Sequence, residues 1–159
     1  MVDETGISST SDWAVQIGRF SMGLGGIEWA ADMLLVLSEG VSKSNDFYDR
    51  LVALKASASN LKADLQIEVS GLVDEAQALR MMRNTVLHST VAVSFYVEAA
   101  ASAGGCPDLD AGRVMTMTHL NDRRGRQTDI DLAAMTALAA LAEELSGRFW
   151  AALFKQDAP

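Results

Sequence analysis

An all-α fold, an antiparallel helical bundle of about four main helices with a small β-hairpin before the last one, is predicted by three features of the sequence. Hydrophobic residues make up 49% of the 159-residue chain and only 2 residues are Pro, a balance that suits packed helices better than a sandwich or a disordered chain. Apolar residues recur at three- and four-residue spacing over three long stretches. Between the second and third of these stretches the pattern changes to alternation in RVMTMTHL, followed by the turn-like NDRRGRQ. The length fits a single domain over 1–159, with 1–11 as a flexible N-terminus.

The elements follow in order. From Trp13 a narrow seam runs through Ile17, Phe20, Leu24, Ile27, Ala31, Leu34 and Leu37, with Ser11 or Asp12 placed to cap its start. Four glycines interrupt this helix, Gly18, Gly23, Gly25 and Gly26. Each costs about 1 kcal/mol against Ala, which implies close packing on another helix or a kink. GLGG is no phosphate loop, because no strand precedes it and no Gly-Lys follows. After Gly40 and the polar SKSND, a short helix spans Phe47 to about Ala56, and a third begins near Ala58 or Ser59. Its seam is Leu65, Val69, Leu72, Ala76, Leu79 and Val86, with Arg83 where a Leu is expected. Residues 90–103 admit helix and strand equally, since TVAVSFYV is β-branched and aromatic yet merges into alanines. AGGCPDLDAG reads as a loop. Asp129 or Thr128 caps the last helix, whose stripe is Leu132, Met135, Leu138, Leu141, Leu145, Phe149 and Phe154.

Several function classes are excluded. The single Cys106 forms no internal disulfide, no Cys/His set has zinc spacing, and no Glu-x-x-His supplies a di-iron site, so neither metal nor cofactor is expected. The N-terminal MVDETGISSTSDW is acidic where a signal peptide is basic and apolar, and the expected location is the cytoplasm. WAADMLLVL is too short to span a bilayer, and LAAMTALAALAEELSGRFWAALF carries Glu143, Glu144 and Arg148 at its middle; no membrane partner is expected. Ser89 and Ser94 sit on no nucleophile elbow, and the adjacent pairs Asp74-Glu75 and Glu143-Glu144 diverge on a helix. His119 alternates with Met115 and Met117, which suits a partly buried structural role.

Charge is uneven. The net charge of -8 argues against a protein that coats nucleic acid. Residues 80–126 nevertheless hold six Arg against Glu98, Asp108, Asp110 and Asp122, a local +2, whereas the remainder holds seven basic residues against seventeen acids. Within that basic segment lies RMMRNTVLHST, residues 80–90. A guanidinium holds a phosphate and stabilises the charge that builds on it; an imidazole exchanges a proton with a hydroxyl or a leaving oxygen. Arg83, Asn84 and His88 are therefore the candidate catalytic set, with Arg80, Arg113, Arg123, Arg124 and Arg126 as candidate RNA contacts. On an ideal helix Arg83 and His88 stand about 140° apart, so they meet only if the helix ends or bends near Leu87 or a second copy supplies one of them.

Arg83-Asn84-Thr85-Val86-Leu87-His88 resembles the Arg, polar residue, three variable residues, His motif of the HEPN superfamily (higher eukaryotes and prokaryotes nucleotide-binding domains). The setting is similar too, with long helices before the motif, a short irregular or hairpin segment after it and a closing helix. The resemblance implies a helical homodimer that joins two motif copies in a cleft, and a metal-independent endoribonuclease of a toxin-antitoxin or defence system. RNA is then the substrate and an antitoxin or other protein a partner, with Arg83 and His88 as the catalytic pair and Asn84 supporting them. Some members carry a Tyr two residues after the His; here that position is Thr90, so the associated nucleotidyltransfer is not implied. The competing expectation is a non-catalytic helical dimer that binds a protein or nucleotide, with Arg80 and Arg83 tied to acids on neighbouring helices. Exposure of His88 discriminates the two.

Overall fold

The computed structural model describes residues 10–101, 107–122 and 124–157, as backbone alone at 10, 93–101 and 107–117. Four helices account for most of it: α1 (Thr10–Leu37), α2 (Phe47–Ser57), α3 (Ala63–Leu87) and α4 (Leu132–Asp157). Two strands, β1 (Thr90–Ala101) and β2 (Pro107–Asn121), form an antiparallel hairpin between α3 and α4. The fold is thus the mostly helical bundle with a hairpin that the periodicity predicts.

The direction of the helices refines that picture. Glu75 on α3 pairs with Arg148 on α4, and Glu68 with Lys155, so α3 and α4 run antiparallel. In contrast Arg19 meets Glu143 while Trp29 stacks on Trp150, so α1 and α4 run in the same direction. The loop after Leu37 carries the chain back, so that Arg50 on α2 reaches Glu28 and Asp32 while Ser57 reaches Ser38. Only α3 therefore opposes its neighbours.

The core follows the seams closely, except that Leu37 at the end of the α1 seam is exposed. Trp13, Phe20, Leu24, Ile27, Ala31 and Leu34 are buried on α1, as are all six predicted positions of α3, Leu65, Val69, Leu72, Ala76, Leu79 and Val86. On α4 the buried line is Met135, Ala139, Ala142, Leu145, Phe149 and Ala152, which corrects Leu141 and Phe154 to exposed positions. Small residues take over there because α1 lies close. A Cβ on Gly23 would sit 2.8 Å from the Ala142 Cβ, and one on Gly26 would collide with the Ser146 hydroxyl. These two glycines permit the α1–α4 approach; Gly18 and Gly25 have nothing within 4 Å.

Element ends depart from expectation in four places. Residues 58–60 form a 3-10 turn, held where Asn60 Nδ2 donates to the Ser38 carbonyl at 2.9 Å, and α3 starts only at Ala63. Asp131, not Asp129 or Thr128, caps α4: its Oδ1 accepts the Ala134 N–H at 2.7 Å. Ser11 and Asp12 lie inside the first turn of α1. Pro107–Gly112 belongs to β2, although its Gly, Pro and Asp content reads as loop, because pairing with β1 continues past an irregularity at Glu98/Ala100. The expected flexible start falls mostly on residues 1–9, which lie outside the described residues, as does Cys106.

The hairpin base is anchored where its side chains are described. Thr118, His119 and Leu120 are buried, and Trp13 Nε1 donates to Thr118 Oγ1 at 3.0 Å. This bond ties the hairpin root to the first turn of α1.

Candidate functional site

The C-terminal end of α3 forms one wall of the site. The helix ends at Leu87, and His88 occupies the cap position with φ -108° and ψ 8°, outside helical geometry. This is the ending near Leu87 that the motif spacing requires if its residues are to converge. Ser89 Oγ donates back to the Thr85 carbonyl and closes the last turn. Asn84 and His88 are exposed, and among the described residues neither side chain has a hydrogen-bond partner.

The other wall is the turn after β2. Gly125 has φ +75°, a backbone conformation that L side chains rarely adopt, and its N–H donates to the Asp122 carbonyl at 2.9 Å. The Asp122 carboxylate organises the rest of the turn. It accepts the Arg124 N–H at 2.8 Å, the Arg126 N–H at 2.9 Å and Arg126 Nε at 2.8 Å. Hydrogen bonding from the Arg126 backbone and then its side chain, with the Arg124 N–H and the Arg126 charge adding to it against some desolvation, holds its carboxyl down at about 2.

Together these walls enclose an open cleft of about 530 Å³ lined by Asn84, Thr85, His88, Asp122, Arg124 and Arg126. Arg126 is neutralised by Asp122 at 2.6 Å, whereas the Arg124 guanidinium has no acidic partner among the described residues. The cleft thus pairs an imidazole and an amide with one uncompensated cation, a set able to hold a phosphate and move a proton.

The predicted residues divide into two groups. Asn84, His88, Arg124 and Arg126 meet in the cleft; Arg123 lies outside the described residues. Arg83 points elsewhere, with Nη1 3.5 Å from Glu28 Oε1 on α1, and Arg80 lies 4.9 Å above the Tyr48 ring with Nη2 3.7 Å from Asp46. Both arginines follow the structural expectation of tying helices together. Arg113 stands opposite Glu98 in the hairpin register. His119 is buried at the hairpin base, away from the cleft lining, as its alternation implied.

Two contributors were missed from sequence, Asp122 and Glu28. Asp122 had a local signal, since Asp-x-x-Gly just after a strand favours a side-chain-locked turn. Glu28 had none, because its contact with Arg83 spans two helices distant in sequence. Arg50 also binds Glu28 at 3.4 Å and Asp32 at 2.5 Å, and burial pushes the Asp32 carboxyl up against the lowering effect of Arg50. Set against protein-family models, curated proteins and solved structures, the chain matches none of them.

Proposed function

We propose that this chain is a metal-independent endoribonuclease of HEPN type, acting as a cytoplasmic homodimer and serving in a toxin-antitoxin or defence setting. The observation that carries the proposal is the exposure of His88 and Asn84 on one wall of a cleft whose other wall presents Arg124 and Arg126. In such a reaction the RNA 2'-oxygen attacks the adjacent phosphorus and its proton leaves to a base. The 5'-oxygen departs with a proton, leaving a 2',3'-cyclic phosphate. His88 is suited to one of these two transfers, and water takes the other. Arg124 supports the phosphate, Asn84 orients it, and Arg83 joins only if release from Glu28 brings it to the cleft.

RNA digestion in EDTA tests this, with product ends analysed for cyclic phosphate. His88→Ala is expected to reduce cleavage by roughly 100-fold or more, the usual worth of a general acid or base. Cleavage that survives His88→Ala in a folded protein would sink the assignment. A second reading, a non-catalytic dimer that binds a protein or nucleotide, is favoured by the Arg83–Glu28 contact, which engages the motif arginine within its own chain. Under that reading no variant cleaves, while nucleotide binding falls with Arg124→Ala.

A further inference from the structure

The helix α1 is apolar on two opposite faces. At 100° per residue its buried line from Trp13 to Leu34 occupies one side, and Val15, Met22, Trp29, Met33 and Val36 fall within about 60° of each other on the other side. These five are exposed, Met22 by 79% and Val36 by 69%. Gly18 and Gly25 lie along this outer line at heptad spacing with the apolar residues, and no atom stands within 4 Å of a Cβ placed on either. The α1–α4 contact explains Gly23 and Gly26; nothing among the described residues explains Gly18 and Gly25.

We infer that the outer face of α1 docks on the same face of a second copy, with the two helices antiparallel and their two-fold axis passing between Gly25 and Gly26. Three features select a second copy. The line is self-complementary about that point: Val15 comes opposite Val36, Met22 opposite Trp29, and the small Gly18 opposite the large Met33, as an isologous interface demands. The charges on its borders are already compensated within each chain, Arg19 by Glu143, and Glu28 and Asp32 by Arg50 together with Arg83, so apposition opposes no bare like charges despite a net charge of -8. The available area is sufficient. Trp150 and the 65% exposed Phe154 extend the aromatic surface beside Trp29, with ring centroids 4.6 Å apart for the tryptophans and 5.7 Å for Trp150 and Phe154. Side chains of this size offer on the order of 600 Å² per copy, so a pair removes about 1,200 Å², the lower bound of a stable specific interface.

This surface stands apart from the His88 cleft, and the inference holds whether or not RNA is cleaved. Scattering mass measured across a concentration series tests it: twice the 17.0 kDa chain mass is expected for the wild type, and the single-chain mass for Met22→Glu and Trp29→Glu with helical content unchanged. Register is tested in a Cys106→Ser background. Val15→Cys with Val36→Cys cross-links between copies under oxidation, whereas Val36→Cys alone does not, because the axis places the two copies of residue 36 far apart. A dimer that persists in both glutamate variants, or cross-links in Val36→Cys alone, overturns the inference. So does a wild-type monomer at all concentrations, including one that binds neutral phosphatidylcholine vesicles through this helix, which is long and apolar enough to cross a membrane.

Discussion

Replacing Gly23 by Ala tests the backbone-to-backbone approach of α1 and α4, and two opposing effects set its size. Alanine gains about 1 kcal/mol over glycine in a helix interior. Against this, the new Cβ would lie 2.8 Å from both the carbonyl carbon and the Cβ of Ala142 and 2.9 Å from the Glu143 nitrogen. None of these atoms can swing away, because all belong to the α4 backbone or to a Cβ fixed on it. Ordinary carbon contacts lie near 3.5–4.0 Å, so the helices must part by roughly 1 Å along the longest contact of the bundle. Overpacking of this kind costs about 1–3 kcal/mol. The net expectation is a loss of about 0–2 kcal/mol. Gly71→Ala is the control: it sits on exposed α3 with nothing within 4 Å, and only the gain of about 1 kcal/mol applies. Urea unfolding followed by fluorescence of the three tryptophans measures both. The two variants are expected to shift in opposite directions, or Gly23→Ala to lag Gly71→Ala by at least 1 kcal/mol. Equal stabilisation by both substitutions would refute the α1–α4 approach described above.

Three further outcomes are expected. Glu28→Gln, which weakens the half-exposed contact to Arg83, changes stability by less than about 1 kcal/mol in thermal unfolding, so a large activity change in Arg83→Ala then reports function and not folding. Asp131→Ala removes the α4 cap and costs about 1 kcal/mol, read as a lowered urea midpoint. Asp122 has its folded carboxyl pKa depressed to about 2, so the stability it contributes is complete above its ordinary value of 3.8 and is lost as pH falls through about 2. An NMR titration should show the Arg124 and Arg126 amide signals moving in that window and staying fixed in Asp122→Asn; amides that titrate near 4 in the wild type would contradict the clamp.

The seams of α1 and α3 were legible because burial on one side of a helix imposes a period that the local sequence must carry, and the six apolar positions of α3 are all buried. Helix ends were less legible. Asp129, Thr128 and Asp131 are chemically similar caps only a residue or two apart, and the choice of Asp131 depends on where α4 can start against α1 and α3. The 90–103 segment carried no decisive period, and the strand state of its residues 90–101 is fixed by pairing with 107–121, a partner that no local window contains.

By itself, the sequence determined the helical class, most of the inward faces and the motif that holds Arg83, Asn84 and His88; which of the α1 glycines meet a neighbour needed the packing of α4. Tertiary structure alone decided that α1 and α4 run in the same direction, that Arg83 turns to Glu28, and that Arg124 and Arg126 close a cleft over His88. The reason is physical. Periodicity records which side of a helix is buried, since that is repeated every turn, whereas the partner of a single charged side chain depends on the docking of elements far apart in the chain. Arg83 had acids available on more than one helix, and only the packing of α3 against α1 put Glu28 within its reach.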